Sequence, residues 1–253
     1  MSKVRWSFLV LLSISIATSN AMHAQEAESS AETTTAHDDF KLDGSMTGAL
    51  KFRSIGPAFT SGRIGDIALD AQNPNTWYIG VASGNVWKTS NAGTTFEPIF
   101  ENYGSYSIGC ITIDPRNSNN VWVGTGENDG GRHIAYGDGV YRSRDGGKSF
   151  ENVGLKESEH LSKIIVDPRN SDVVFVASQG PLWSAGGERG LYKTTDGGKS
   201  WKNVLSKGPY TGVTDVVMDP KNPNVMYAAT HQRHRTVWAF FEYWPRVRRF
   251  QIN

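Results

Sequence analysis

Four times along the chain, an apolar run of strand length ends in an aspartate, crosses a short polar turn and starts a second apolar run. The stretches are IGDIALDAQNPNTWYIGVAS from Ile64, IGCITIDPRNSNNVWVGTGE from Ile108, LSKIIVDPRNSDVVFVASQG from Leu161 and VTDVVMDPKNPNVMYAATHQ from Val213. Their anchoring aspartates are Asp70, Asp114, Asp167 and Asp219. In IIVDPRNSDVVFVA the β-branched residues on both sides favour strands. The turn comes from Pro168, which fixes φ, and from Asp167 and Asn170, whose short polar side chains bond back to the backbone. Each stretch therefore predicts a hairpin.

A second hairpin follows in three of the four units. A glycine-containing link leads into GNVWKTSN, GVYRSRD or GLYKTTD, and a polar phrase then leads into FEPIFEN, FENVGLK or WKNVLSK. Each unit thus reads as a four-stranded antiparallel meander. Meanders repeated at this period match β-propeller blades better than helical solenoids, whose repeats lack paired strand runs and Asp-Gly turns. The expected fold is all-β, a propeller of which about three and a half blades are present as an incomplete ring. It spans residues 49–238, and the stretch 239–253, AFFEYWPRVRRFQIN from Ala239, lacks the repeat's vocabulary. That departure is expected to mark a truncated or frameshifted end; a short divergent blade that closes by oligomerising is the alternative.

The polar phrases WKTSNAGTTF, YRSRDGGKSF and YKTTDGGKSW carry the spacing Ser/Thr-x-Asp/Asn-x-Gly-x-Ser/Thr-Trp/Phe. This resembles the Asp-box, or BNR repeat, of sialidases, xyloglucanases, sortilin-type receptors and photosystem assembly factors. The resemblance implies a structural turn between the third and fourth strands of each blade. Its residues here are Asn91, Gly93 and Phe96, then Asp145, Gly147 and Phe150, then Asp196, Gly198 and Trp201. The acid or amide is expected to accept main-chain N–H groups, the glycine to take a conformation other residues resist, and the aromatic to pack back into its blade. With FRSIGPAFTSGRIGDIALD and GSYSIGCITIDP, the chain looks most similar to secreted bacterial propellers of the sortilin N-terminal-like type, often labelled glycosyl hydrolase BNR-repeat proteins. Fold alone does not carry function across such a group.

Composition narrows the classes. Lysine and arginine total 26 against 25 aspartate and glutamate, so no overall field draws the chain to nucleic acid. The 27 glycines and 8 tryptophans fit tight turns between aromatic-rich strands. Lys3, Arg5, the apolar run Trp6 to Ala17 and Ser19-Asn20-Ala21 read as a cleaved signal peptide over 1–21. A polar linker over 22–48 follows, with no membrane anchor. The expected location is secreted or periplasmic. Cys110 is the single cysteine, so no internal disulfide can form, and its apolar context suits a buried strand position.

Strand order puts the links between second and third strands, and those between blades, on one face. Two of these links are long: GTGENDGGRHIAYGDG from Gly124 and ASQGPLWSAGGERG from Ala177. Long insertions on one face are where binding usually sits. The ligand-face candidates are Arg63, Tyr106, Asn128, Arg132, His133, Tyr136, Gln179, Trp183, Glu188 and Arg189, whose aromatic, guanidinium and amide groups suit a protein, peptide or glycan ligand. A solvated loop surface with structural hydrogen bonds is the alternative. Glu127 and Asp138 are the candidate catalytic carboxylates, since glycoside hydrolysis needs two acids about 5 to 10 Å apart.

The resemblance to xyloglucanases would place a catalytic aspartate in the first blade's link, where this chain reads Val81-Ala82-Ser83-Gly84. Sialidases carry a Phe-Arg-Ile-Pro phrase that FRSIGP, from Phe52 to Pro57, matches only in part. No phosphate loop, His-x-x-x-His or calcium-loop spacing is present, so neither cofactor nor metal is expected. The reading is an exported binding or interaction scaffold, inactive over this stretch. A secreted glycoside hydrolase of xyloglucanase or sialidase type is the alternative.

Overall fold

The computed structural model describes residues 62–128, 134–242 and 250–252. The signal peptide, the linker, Phe52 to Pro57, Arg132, His133 and residues 243–249 of the tail lie outside the described residues. All described residues belong to the compact unit Ile55–Asn253.

Among the described residues, sixteen strands fill four antiparallel sheets. The first blade is β1 (Ile64–Leu69), β2 (Trp77–Val81), β3 (Asn85–Thr89) and β4 (Glu97–Pro98). The second is β5 (Ile108–Asp114), β6 (Asn117–Thr125), β7 (Val140–Ser143) and β8 (Glu151–Gly154). The third is β9 (Leu161–Asp167), β10 (Asn170–Ser178), β11 (Gly190–Thr194) and β12 (Lys202–Leu205). In each, strands pair in chain order, as a meander requires. The fourth departs from that order. Its β13 (Thr211–Met218) and β14 (Met226–Arg235) form a regular hairpin, but β15 (Phe240–Glu242) and β16 (Phe250–Ile252) both pair with β14, one at each end. Three full meanders and a partial fourth are therefore present.

The core lies between neighbouring blades, because each sheet has an apolar set on both faces. Ala68, Tyr78 and Val86 of the first blade pack on Ile108, Ile111, Val123 and Tyr141 of the second. Cys110, Trp122 and Val140 pack on Leu161, Ile164, Val174 and Val176 of the third. Phe175, Ala177 and Leu191 pack on Val213, Val216, Met226 and Ala228 of the fourth. Burial holds the Cys110 thiol far above its ordinary range, as suits a packing group rather than a nucleophile.

Each Asp-box turn is held by its own side chains. Asp145 Oδ1 accepts from Ser149 N at 2.9 Å and from Ser143 Oγ at 2.8 Å, while Gly147 N donates to Ser143 Oγ at 2.8 Å. Asp196 and Thr194 repeat the pattern in the third blade, and Asn91 with Thr89 in the first. Gly93, Gly147 and Gly198 all take positive φ, between 84° and 92°, where a side chain is strained.

One expectation is corrected. The box aromatic does not pack back into its own blade; it reaches the preceding one. Phe150 meets Phe100 and Tyr103, on the link that leaves the first blade after β4, at 5.0 and 5.5 Å between ring centroids, and Trp201 meets Trp122 of the second at 6.3 Å. Trp201 Nε1 also donates to Val153 O at 2.8 Å. Phe96, in the first blade, has no preceding blade among the described residues and is exposed.

Candidate functional site

The links between second and third strands meet the chain entering each first strand on one face. Ala82 N donates to Arg63 O, Gly126 N to Ser107 O and Gln179 N to His160 O, at 2.7 to 3.0 Å. Arg63, Ser107 and His160 hold the same place in successive repeats, immediately before β1, β5 and β9. Their side chains differ, and that difference gives the face its chemistry.

Ser107 ties three segments together. Its hydroxyl donates to Ala82 O at 2.6 Å, lies 3.2 Å from Ala135 O, and accepts from Glu127 N at 2.9 Å. Glu127 is thereby fixed as a buried carboxylate, with Oε1 paired to the exposed guanidinium of Arg63 and Oε2 accepting from Ala135 N at 3.4 Å. A buried carboxylate is costly without such partners, so the pair is built into the fold. Next to it, Ser105 Oγ donates to Tyr136 O at 2.8 Å, holding the long second-blade link against the strand of chain that carries Tyr106. Both tyrosine rings are exposed.

Beneath Tyr136 lies His160, fully buried, with ring centroids 5.6 Å apart. Burial first, then the positive charges of Arg233 and Arg189, push its pKa down to about 3, so the ring is neutral at physiological pH. Glu159 Oε2 lies 3.9 Å from its Nε2, and burial raises that carboxyl above its usual range.

The other candidates divide between the face and the scaffold. Asn128 donates to Gly109 O at 3.0 Å, and Gln179 donates to Asn128 O at 3.2 Å, so the second- and third-blade links touch. Trp183 is exposed one link further round, where His234 Nε2 lies 3.3 Å from its main-chain oxygen. Arg189 is buried and turned inward. Its guanidinium donates to the main-chain oxygens of Gly186, Gln179, Pro181 and Ser184, closing the third-blade link into a fixed loop. Glu188 Oε2 accepts from Glu157 N at 2.8 Å.

Asp138 is likewise engaged. Its Oδ2 accepts from Tyr141 Oη at 2.6 Å and its Oδ1 from Thr125 Oγ1 at 3.3 Å, between the first two blades. The two candidate catalytic carboxylates are therefore both engaged, Glu127 by the Arg63 ion pair and Ala135 N, and Asp138 by the Tyr141 hydroxyl. Ser105 and Ser107 matter more to the face than their letters suggested, and His160, a candidate from its position beside the face, lies beneath it. The signal that could have found Ser107 is its place immediately before β5. Among the described residues, no group of three or more histidine, cysteine or acidic side chains could hold a metal ion.

Residues 138–243 match the Sortilin-Vps10 family model, described as sortilin, neurotensin receptor 3. A xyloglucanase from a Paenibacillus species is 28% identical over 169 residues, covering 65% of this chain and 15% of the relative. A protein of Neosartorya fischeri, described as a probable oligoxyloglucan-reducing end-specific xyloglucanase, is 25% identical over 158 residues, covering 54% of this chain and 17% of the relative. The chain thus spans about a sixth of the length of these relatives. Among solved structures, an ancestral GH74 enzyme superposes with TM-score 0.53 at 20% identity, covering 68% of this chain and 22% of that one. The GH74 xyloglucanase from Xanthomonas campestris superposes with TM-score 0.50 at 18% identity, covering 65% and 26%. At such identities these structures show the propeller fold alone.

Proposed function

We propose that this chain, a sortilin-like β-propeller with xyloglucanase homologues, binds a polysaccharide of the xyloglucan type on its link face and does not hydrolyse it. The observation that carries the proposal is the exposure of Tyr106, Tyr136 and Trp183 on links of that face, the two tyrosines on the segments that hold the Arg63–Glu127 pair and Trp183 one link further round. Aromatic rings elsewhere in the blades are mostly packed between sheets, where they lower the free energy of the fold. An exposed aromatic offers a flat apolar surface to the C–H face of a sugar, and a nearby ion pair offers donors and acceptors to its hydroxyls.

Hydrolysis is the competing reading, favoured by the names of the relatives. Against it stand the engaged carboxylates of Glu127 and Asp138 and the absence of any acid in the first-blade link, Val81 to Gly84. A glycosidase needs one carboxyl free to deliver a proton to the leaving oxygen. The signal peptide read over 1–21 would place this binding outside the cytoplasm. Among the described residues, no helix is long and apolar enough to cross a membrane.

Titration calorimetry with xyloglucan oligosaccharides tests the proposal. Saturable heat that weakens by about tenfold, or about 1.4 kcal/mol, in Tyr136→Ala and Trp183→Ala supports it. Absence of binding, or binding untouched by either change, removes its basis.

A further inference from the structure

Both long links of the candidate face hang on one short piece of chain. Residues 155–160 make a 3₁₀ turn (Lys156–Ser158) between Leu155 and Glu159, two non-glycine residues at φ 54°. Side chains resist that left-handed region, so the turn keeps its shape only while its surroundings hold it. The second-blade link attaches through Gly137 N, which donates to Glu159 O at 2.8 Å, and through Tyr136, whose ring lies over His160. The third-blade link attaches through Gln179 N, which donates to His160 O at 3.0 Å. It attaches again through Glu188, whose N–H donates to Glu157 O while its Oε2 accepts from Glu157 N.

The imidazole of His160 sits unsatisfied at this joint. It is fully buried, yet neither ring nitrogen has a hydrogen-bond partner, and Glu159 Oε2, 3.9 Å from Nε2, is beyond hydrogen-bond distance. Ser107, in the same place before β5, has partners for its hydroxyl in other segments. A buried polar ring without partners costs free energy that an apolar side chain would not. What the imidazole adds is the capacity to take a proton near neutrality. The groups that face it are Arg189 from the third-blade link, Arg233 from β14 and Glu159 from its own segment, with Glu157 acting on Glu159 and the Tyr136 phenol ring above. A positive charge on the closed ring is thus opposed by two guanidiniums and favoured by one carboxylate, whose own charge burial disfavours.

We propose that residues 155–160 act as an acid-released clasp, in which a proton on His160 drives the ring out into water and the bonds from Gly137 and Gln179, made to the same segment, are lost together. The two links that carry Tyr136 and Trp183 therefore hold their shape at neutral pH and loosen together in mild acid, whatever ligand the face takes. The closed ring has its pKa pushed down to about 3, and an opened one returns to about 6.5. The clasp is therefore fully closed above pH 6.5, and its opening rises as pH falls toward 3, by up to about tenfold per unit.

Amide hydrogen exchange, resolved by NMR and corrected for the intrinsic rate at each pH, tests this without any ligand. Protection of Gly137, Gln179 and Glu188 is expected to fall together by about twentyfold between pH 7 and pH 5, while the amides of β6 and β10 keep theirs. In His160→Gln, which cannot take the proton, the fall is expected to vanish; an unchanged fall overturns the proposal. If that variant does not fold, the wild-type profile decides. A loss that starts near pH 6.5 is a histidine's and supports the clasp, whereas one that starts only below about pH 5 belongs to Glu157 or Glu159 and overturns it. Protection independent of pH overturns it too, as does a fall shared by the β6 and β10 amides, which would be unfolding of the whole domain.

Discussion

Arg142 of the second blade donates from Nη1 to the main-chain oxygen of Gly197, 2.8 Å away in the Asp-box of the third. Lys88 of the first blade makes the equivalent reach to Gly146 O of the second at 2.9 Å, joined there by the Tyr78 hydroxyl at 2.8 Å. Each cation also lies over the aromatic ring paired with it across the strands, Arg142 over Trp122 at 4.7 Å and Lys88 over Tyr78 at 5.5 Å. The Asp-box is therefore both a turn and the docking point by which one blade holds the next.

This explains a letter in the repeat and yields a prediction. Gly146 and Gly197 have φ of 72° and 71°, and a Cβ at Gly197 would collide with Arg142 Nη1. The first blade's box has Ala92 in that slot at φ 54°, with no cation reaching it among the described residues. Gly197→Ala is expected to destabilise the protein by about 1 to 3 kcal/mol. Part of that loss should disappear in a background carrying Arg142→Ala. A double-mutant cycle by urea denaturation measures the coupling, and strict additivity would contradict the docking role.

Asp145 is set up as an acid-sensitive turn. Hydrogen bonds from the Ser149 side chain and main chain, then from Ser143, hold its pKa down to about 2. The folded value lies below the unfolded one of about 3.9, so the contribution is present above pH 4 and is lost as pH falls toward 2. Because the carboxylate is exposed, solvent screening keeps the effect small. Asn91 performs the same task in the first blade without titrating. Thermal melts of Asp145→Asn should therefore show a shallower loss of stability between pH 4 and 2 than wild type, with little change at pH 7.

His160 responds in a higher window. Its folded pKa of about 3 lies below the unfolded value of about 6.5, so the unfolded chain binds the extra proton between them. Stability is complete above about pH 6.5 and falls as pH drops, by up to about 1.4 kcal/mol per pH unit from this group. Arg233 and Arg189 disfavour the charged ring, while Glu159, raised by burial, opposes the trend as it takes up its own proton. Denaturation curves at pH 7 and pH 5 should differ less in His160→Gln than in wild type. An unchanged difference would show that another group carries the acid sensitivity.

The blades were legible because their signals are local. Apolar alternation, the aspartate turns and the Asp-box spacing each act within a few residues, and β5, β6, β9 and β10 fall where those signals put them. The face was only partly legible, because its chemistry depends on which residues meet across blades. Nothing local to Arg189 says that four main-chain oxygens will surround it, or that Glu127 will be sealed under Arg63 while Tyr136 stays in solvent. The direction of the box aromatics was missed for the same reason. Phe150 finds Phe100 fifty residues back in sequence and Trp201 finds Trp122 seventy-nine residues back, both outside their own sheet.

The central claim, binding without hydrolysis, meets its most direct test in one sample. The protein is incubated with xyloglucan, and binding is followed by affinity electrophoresis while new reducing ends are counted over the same period. The account predicts retarded migration in the xyloglucan gel, reduced in Trp183→Ala, with no reducing ends above a protein-free control. Release of reducing ends that is abolished by Glu127→Gln or Asp138→Asn would contradict it and make the chain a glycosidase.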